Sequence, residues 1–277
     1  DSNFDQMNKF VQANQFDNII DRLLDSDLKK LILDNKDQGV NPWGVFDEYL
    51  FDKYIKLMDN ADGPTFTTIL TTTNHVPWII PDNFKTRITN YSSKKKDFKK
   101  SKKTMTYVDI ILNNFFNDIE DKDWFENTIF IITADHGLNI HKDHINDPRN
   151  AKIPFLIYNK NLKEYIEIEK IVSQIDILPT LLDLIDEFEH FPNNDKNKLF
   201  GCSGFRGRDG FAFRNNDNNI QWIEDGLIYS ENIGFKFEEY YSERNNLMFT
   251  TKSKMQNLKR NCRSYYQIAS SITKQDK

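Results

Sequence analysis

Residues 129–137 read Ile-Phe-Ile-Ile-Thr-Ala-Asp-His-Gly, a short apolar run that ends in a carboxylate, an imidazole and a glycine. A continuous run of this length with polar flanks suits a central strand of a parallel sheet better than a strand with one wet face. A second such run occupies residues 153–158, after a polar loop at 139–152. Helical periods surround both. Phe46, Tyr49, Leu50, Tyr54, Leu57 and Met58 recur at three- and four-residue spacing until the breaker stretch 60–64. Tyr107, Ile110, Ile111, Asn114, Phe115 and Ile119 form another stripe, and Ile175, Leu178, Leu181, Leu182 and Ile185 a third, capped by Ser173. Pro179 is tolerable there only near the helix start. Residues 11–33 predict a helix with Asp17 as cap, and Thr-rich 65–73 predicts a buried strand.

Residues 211–237 read as two or three strands with a turn at 215–219, and 245–272 as a final helix. The order of elements predicts an α/β fold: an open mixed or mostly parallel sheet with helices on both faces. It also predicts a small C-terminal antiparallel β region and a terminal helix. No internal repeat is visible.

Composition excludes several classes. The chain has 277 residues, 37 Lys+Arg against 42 Asp+Glu, and a net charge of −5, which disfavours a nucleic-acid binder. Its 22 Phe, 11 Tyr and 4 Trp offer more aromatic area for burial than a disordered chain carries. No apolar run approaches the roughly 20 residues that span a bilayer. Two cysteines, Cys202 and Cys262, leave the redox compartment open.

In open sheets of this kind, ligands bind beyond the carboxyl ends of the strands. Two such places carry chemistry: Asn74-His75 after residues 65–73, and Asp135-His136-Gly137 after residues 129–133. Four of the five histidines (His75, His136, His141, His144) fall in or just after these segments, with His190 elsewhere. Adjacent Asp and His at a turn can reach one divalent cation, and mixed O and N donors suit zinc or manganese better than calcium or magnesium. A capping Asp beside a hydrogen-bonded His reads the same pair without a metal. Seven lysines within residues 92–103 sit on a loop or helix start. A solvated basic face explains them, and a surface for a polyanionic substrate or acidic membrane is the sharper alternative.

The ordered series formed by residues 129–137, Ala151-Lys-Ile-Pro-Phe-Leu-Ile-Tyr158 and Ser173-Gln-Ile-Asp-Ile-Leu-Pro-Thr-Leu-Leu182 resembles the second half of the sulfatase-like branch of the alkaline phosphatase superfamily. Lipoteichoic acid synthase-type proteins are the most similar. Asp1-Ser-Asn-Phe4, Trp43-Gly-Val-Phe-Asp-Glu48, Thr73-Asn-His-Val-Pro77 and Gly207-Arg-Asp209 extend the likeness across roughly residues 1–235. The resemblance implies an alkaline-phosphatase-like fold and an ester site in which a metal activates a nucleophile. By similarity Asp135 and His136 would be metal ligands, and His75 would bind the phosphate or sulfate oxygens. His144, and less so His141, would line the same pocket. The expected cofactor is one divalent ion, manganese first, then zinc, calcium or magnesium.

In the family the nucleophile precedes the stretch that residues 1–4 resemble, so no catalytic nucleophile is identified here. The expectation is a single domain, N-terminally incomplete, with an α/β part at 1–198, a β region at 199–244 and a terminal helix at 245–277. Its parent would be membrane-anchored and extracytoplasmic, and its partners an anionic ester substrate and the missing N-terminal segment. Cys202-Ser-Gly-Phe-Arg206 is only superficially similar to the sulfatase Cys-x-Pro-x-Arg signature and reads as a connection, because it lacks the Pro and follows the Asp-His-Gly. The function expected is a metal-dependent sulfate- or phosphate-ester hydrolase or transferase. The alternative is an inactive remnant that binds anions or a partner through His75 and residues 94–103.

Overall fold

A computed structural model describes residue 3 and residues 6–34, 40–88, 96–138, 147–185, 201–206, 210–216, 218–233, 237–242 and 252–275. The chain divides into two units, one of residues 1–130 and 157–161, the other of residues 131–156 and 162–277.

The first unit is built on helices α1 (Met7–Ala13), α2 (Ser26–Asp34), α3 (Asp47–Met58) and α4 (Lys96–Ile119). The expected helix over 11–33 is two short helices instead, and Asp17 caps neither. Asp21 Oδ1 accepts the amides of Leu23 and Leu24, and Asp25 Oδ1 those of Asp27 and Leu28. These aspartates give the backbone a turn in place of a helical ladder, so α2 starts only after Asp25. Lys53 of α3 reaches Asp25 at 2.8 Å and Asp27 at 3.0 Å, which fastens α2 to α3.

In α3, Asp47 and Glu48 stand in the first turn and Lys56 in the last, the arrangement a helix dipole favours. The α4 stripe falls as its spacing predicts: Tyr107, Ile111, Phe115 and Ile119 are all buried. They pack with Phe46, Phe51, Tyr54, Phe84 and Phe125 into one aromatic core. Phe51 stacks on Phe115 at 4.7 Å, and Phe84 meets Tyr107 edge-on at 4.9 Å. Lysines 99, 100, 102 and 103 lie in the first turns of α4, with Lys102 exposed over the Phe98 ring.

Residues 65–73 are not a strand. Ile69 packs on the core and Thr73 is buried, but Phe66, Leu70, Thr67 and Thr71 are all exposed, so the segment shows neither the alternation of a strand nor a ladder partner among the described residues. A strand needs a neighbour for its amides and carbonyls, and composition cannot supply one. The other predicted strands form: β1 (Phe130–Thr133) and β2 (Phe155–Tyr158) make a two-stranded sheet.

In the second unit, α5 (Ile177–Leu184) follows a 3-10 turn at Gln174–Asp176. The buried Asp176 carboxylate accepts the Ser173 amide at 2.8 Å and the Cys202 amide at 2.8 Å, so it caps the turn and holds the 201–206 connection. Thr180 Oγ1 accepts the Gly204 amide, and Asp183 takes the Ser203 hydroxyl and the Arg206 guanidinium at 2.6 Å each. Cys202 therefore sits in a connection clasped to α5, and both cysteines are free.

The C-terminal region is a four-stranded antiparallel meander, against the two or three strands the sequence suggested: β3 (Phe211–Asn216), β4 (Asn219–Glu224), β5 (Leu227–Asn232) and β6 (Phe237–Ser242). Asp225 and Gly226 turn β4 into β5 with φ of 52° and 68°, the paired positive angles of a two-residue hairpin. Helix α6 (Lys252–Gln275) lays Leu258, Cys262, Tyr265 and Tyr266 on Phe211, Trp222 and Tyr229. Burial pushes the Cys262 thiol up to about 12.

Arg263 of α6 donates to both oxygens of the buried Glu231, which also accepts the Tyr229 hydroxyl at 2.6 Å. The guanidinium, then the phenol, hold this carboxyl below the ordinary value of 4.5. A depressed folded value means stability that is complete above the unfolded pKa and is lost as pH falls through the folded one. Arg263→Ala is expected to cost about 1–2 kcal/mol at neutral pH, the half-exposed guanidinium being partly screened. Urea titration at pH 7 and pH 3.5 checks this: the wild type should lose more stability between the two than the variant.

Candidate active site

In the first unit, residues 40–47 form a clasp. Val40 and Val45 pair as an isolated bridge, and between them Asn41 Oδ1 accepts the amides of Trp43 at 2.8 Å and Gly44 at 3.0 Å. Asn41 Nδ2 then reaches Thr72 Oγ1 at 3.2 Å. Asp47, fully buried at the start of α3, accepts the Thr72 and Thr73 amides on one oxygen, Oδ1, at 3.0 and 3.1 Å. Burial raises the Asp47 carboxyl despite the hydrogen bonds that lower it.

The clasped segment leads to His75. Its backbone amide donates to Thr72 O, and its ring stands edge-on to Trp43 with centroids 4.3 Å apart. His75 Nδ1 lies 2.8 Å from Val76 O, and Trp43 Nε1 donates to the same oxygen at 2.5 Å. A carbonyl facing Nδ1 selects the Nδ1–H tautomer, which leaves Nε2 as the ring's free edge. The side chain is exposed.

In the second unit, β1 delivers Asp135 and His136 just past its end. Asp135 Oδ1 accepts the His136 amide at 2.8 Å, and His136 Nδ1 is 2.9 Å from Gly137 O. Both outward atoms are then Asp135 Oδ2 and His136 Nε2, 3.6 Å apart, on side chains that are 72% and 69% exposed. Gln174 Nε2 donates to Ala134 O at 3.0 Å and Asp135 O at 2.8 Å, pinning the turn from the start of the α5 segment. Gly137 serves by close approach: a Cβ there would lie 2.1 Å from Asn150 O.

Two donors on a tetrahedral divalent ion with bonds of about 2.1 Å stand about 3.4 Å apart. The Asp135–His136 pair fits half of such a site. Among the described residues no group of three or more Asp, Glu, His or Cys could close around an ion. His141, His144 and His190 lie outside the described residues, as do residues 207–209. The clasp residues Asn41 and Asp47 and the brace Gln174 were not identified as site residues from the sequence. Their partners lie 25 to 40 positions away, and no local spacing announces such a bond.

The sequence model of the family described as Sulfatase matches residues 1–187. The chain belongs to the sulfatase family. It is 25% identical over 235 residues to lipoteichoic acid synthase 1 of Bacillus subtilis, covering 76% of this chain and 35% of that protein. It is 22% identical over 234 residues to lipoteichoic acid synthase of Staphylococcus aureus, covering 79% and 34%. The chain thus spans about a third of the length of these curated relatives.

Two solved structures show the fold. A protein in the alkaline phosphatase superfamily from Vibrio parahaemolyticus matches with TM-score 0.68 and 22% identity, over 95% of this chain and 61% of that one. The lipoteichoic acid synthase LtaP from Listeria monocytogenes matches with TM-score 0.77 and 16% identity, over 98% and 67%. The sulfatase-family chain therefore has the alkaline-phosphatase-like α/β fold expected of it, with a C-terminal antiparallel sheet and helix.

Gly137→Ala is expected to cost about 2 kcal/mol or more, since the Asn150 carbonyl must move away from the new methyl group. Chemical denaturation measures it. Gly63→Ala, where nothing lies within 4 Å of the added methyl, is the control and should be near neutral.

Proposed function

We propose that this chain carries the metal and anion-binding residues of a divalent-metal-dependent hydrolase or transferase acting on phosphate or sulfate esters. The observation that carries the reading is the Asp135–His136 pair at the end of β1, whose free oxygen and nitrogen stand 3.6 Å apart with the other edge of each group already bonded. Membership of the sulfatase family supports it. Asp135 and His136 would hold one divalent ion, manganese in first preference, and the ion would act as a Lewis acid on the ester oxygen.

The chain's own groups then have defined tasks. His136 keeps its Nδ1 proton on Gly137 O, so its Nε2 lone pair stays directed outward. Gln174 holds the carbonyls of Ala134 and Asp135 and so fixes the turn. His75, with Nδ1 held on Val76 O, is proposed as an anion-binding group: once protonated on both nitrogens it would donate a charge-assisted hydrogen bond from Nε2 to an oxygen of an anionic ester. His144 is proposed as a further substrate-binding residue. No residue of this chain is assigned as nucleophile. An extracytoplasmic setting and a membrane-anchored parent follow from the family resemblance; among the described residues no helix is long and apolar enough to cross a membrane.

Manganese titration of the full chain, with 4-nitrophenyl phosphate and 4-nitrophenyl sulfate as substrates, tests the reading. Asp135→Ala and His136→Ala should each weaken manganese binding at least about tenfold, the scale of losing one ligand of a few. Turnover in the presence of manganese that is untouched by Asp135→Ala would remove the pair from the site. Phosphate binding through His75 with neither metal uptake nor turnover would favour a module that only binds anions.

A further inference from the structure

The structure assigns Asp47 as the positioning residue of His75, acting through the two backbone amides it holds at the head of the His75 turn. This rests on the proposed role of His75 as an anion-binding group, and it concerns a residue with no contact to the ester.

Asp47 occupies the first position of α3, and α3 is locked by Phe51 and Tyr54 against Phe115 of α4. From this fixed helix start its Oδ1 takes the amides of Thr72 and Thr73 together. Thr72 O in turn takes the His75 amide, and His75 O takes the Trp78 amide, so the turn carrying the imidazole hangs on a point set by the helix. Asn41 and Val45 O meet the Thr72 hydroxyl from the same clasp. Trp43 closes the far side, sharing the Val76 carbonyl with His75 Nδ1. Residues on a helix transmit position with less play than residues on a loop, and that is what an anion-binding edge on an otherwise exposed histidine requires.

The geometry also says which property of Asp47 matters. Both amide bonds go to Oδ1, while the buried Oδ2 and the Thr73 hydroxyl interact without forming a hydrogen bond of good geometry. What the two amides use is the acceptor at the Oδ1 position. An asparagine keeps that acceptor and gains an amide to aim at Thr73 Oγ1. An alanine leaves two buried amides without a partner.

The full chain with 15N-labelled histidine tests this through the His75 ring shifts, the exchange rates of the Thr72 and Thr73 amides, and titration with inorganic phosphate. In the wild type and in Asp47→Asn, His75 should show the Nδ1–H tautomer, and both amides should be protected. Asp47→Ala should shift the ring toward the Nε2–H form of free histidine, speed both amides at least about tenfold, and weaken phosphate binding at His75 by a similar factor. If Asp47→Ala does not fold, Asp47→Ser decides, since its hydroxyl is too short to hold both amides. An alanine or serine variant with lower Tm but wild-type tautomer and phosphate affinity would overturn the inference, as would an asparagine variant that behaves like alanine. A wild-type His75 that ignores phosphate would remove the anion-binding role of His75, and the tautomer comparison would still decide Asp47.

Discussion

Phe115 is the contact on which the first unit depends. It stacks on Phe51 at 4.7 Å, meets Tyr54 at 5.9 Å, and touches Phe130 at 6.1 Å with its ring turned edge-on. One side chain of α4 thus locks the helix that begins at the Asp47 clasp and packs on the first residue of the strand that leads to Asp135. Burying an aromatic ring of this size contributes about 1.5–3 kcal/mol, and the edge-to-face neighbours add to it. The order of the His75 turn is inherited from this packing, because an exposed histidine has no core of its own to hold it.

The second unit uses buried carboxylates where the first uses rings. Asp176 gathers the amides of Ser173 and Cys202, and Glu231 gathers Arg263 and Tyr229. Each carboxylate has a bonding partner for both oxygens, the condition under which burial of charge is tolerable. Asp47 differs from both: one of its oxygens is buried without such a partner, and its carboxyl is raised where that of Glu231 is lowered. What faces the second oxygen thus decides the direction: the Arg263 guanidinium lowers the carboxyl of Glu231, and burial without a cation raises that of Asp47.

Much of the architecture was legible in the chain. Helix α3 and strands β1 and β2 lie within one or two residues of where the apolar periods put them, because their periods are long or their runs unbroken, whereas α4 ends with its stripe but begins at Lys96, within the lysine-rich stretch before it. The sequence marked only the turn at 215–219; the Asp225-Gly226 hairpin, with its two positive φ angles, was found in the structure. Residues 11–33 misled because Asp21 and Asp25 compete for backbone amides inside an apolar pattern. Residues 65–73 misled because Thr and Ile favour extended chain wherever it lies, whereas a strand exists only beside another.

The sequence by itself determined the family, the positions of the core helices, and the Asp135-His136-Gly137 turn, since each is written in residues adjacent or three to four apart. Tertiary structure decided which histidine edge is free, what pins each turn, and why Gly137 has no room for a side chain. Those depend on Val76 and Gly137 carbonyls, on Gln174, on Asn150 and on Asp47, groups brought close by chain folding over 13 to 40 positions or set by local backbone angles. Hydrogen bonds act over about 3 Å in space and are blind to separation along the chain.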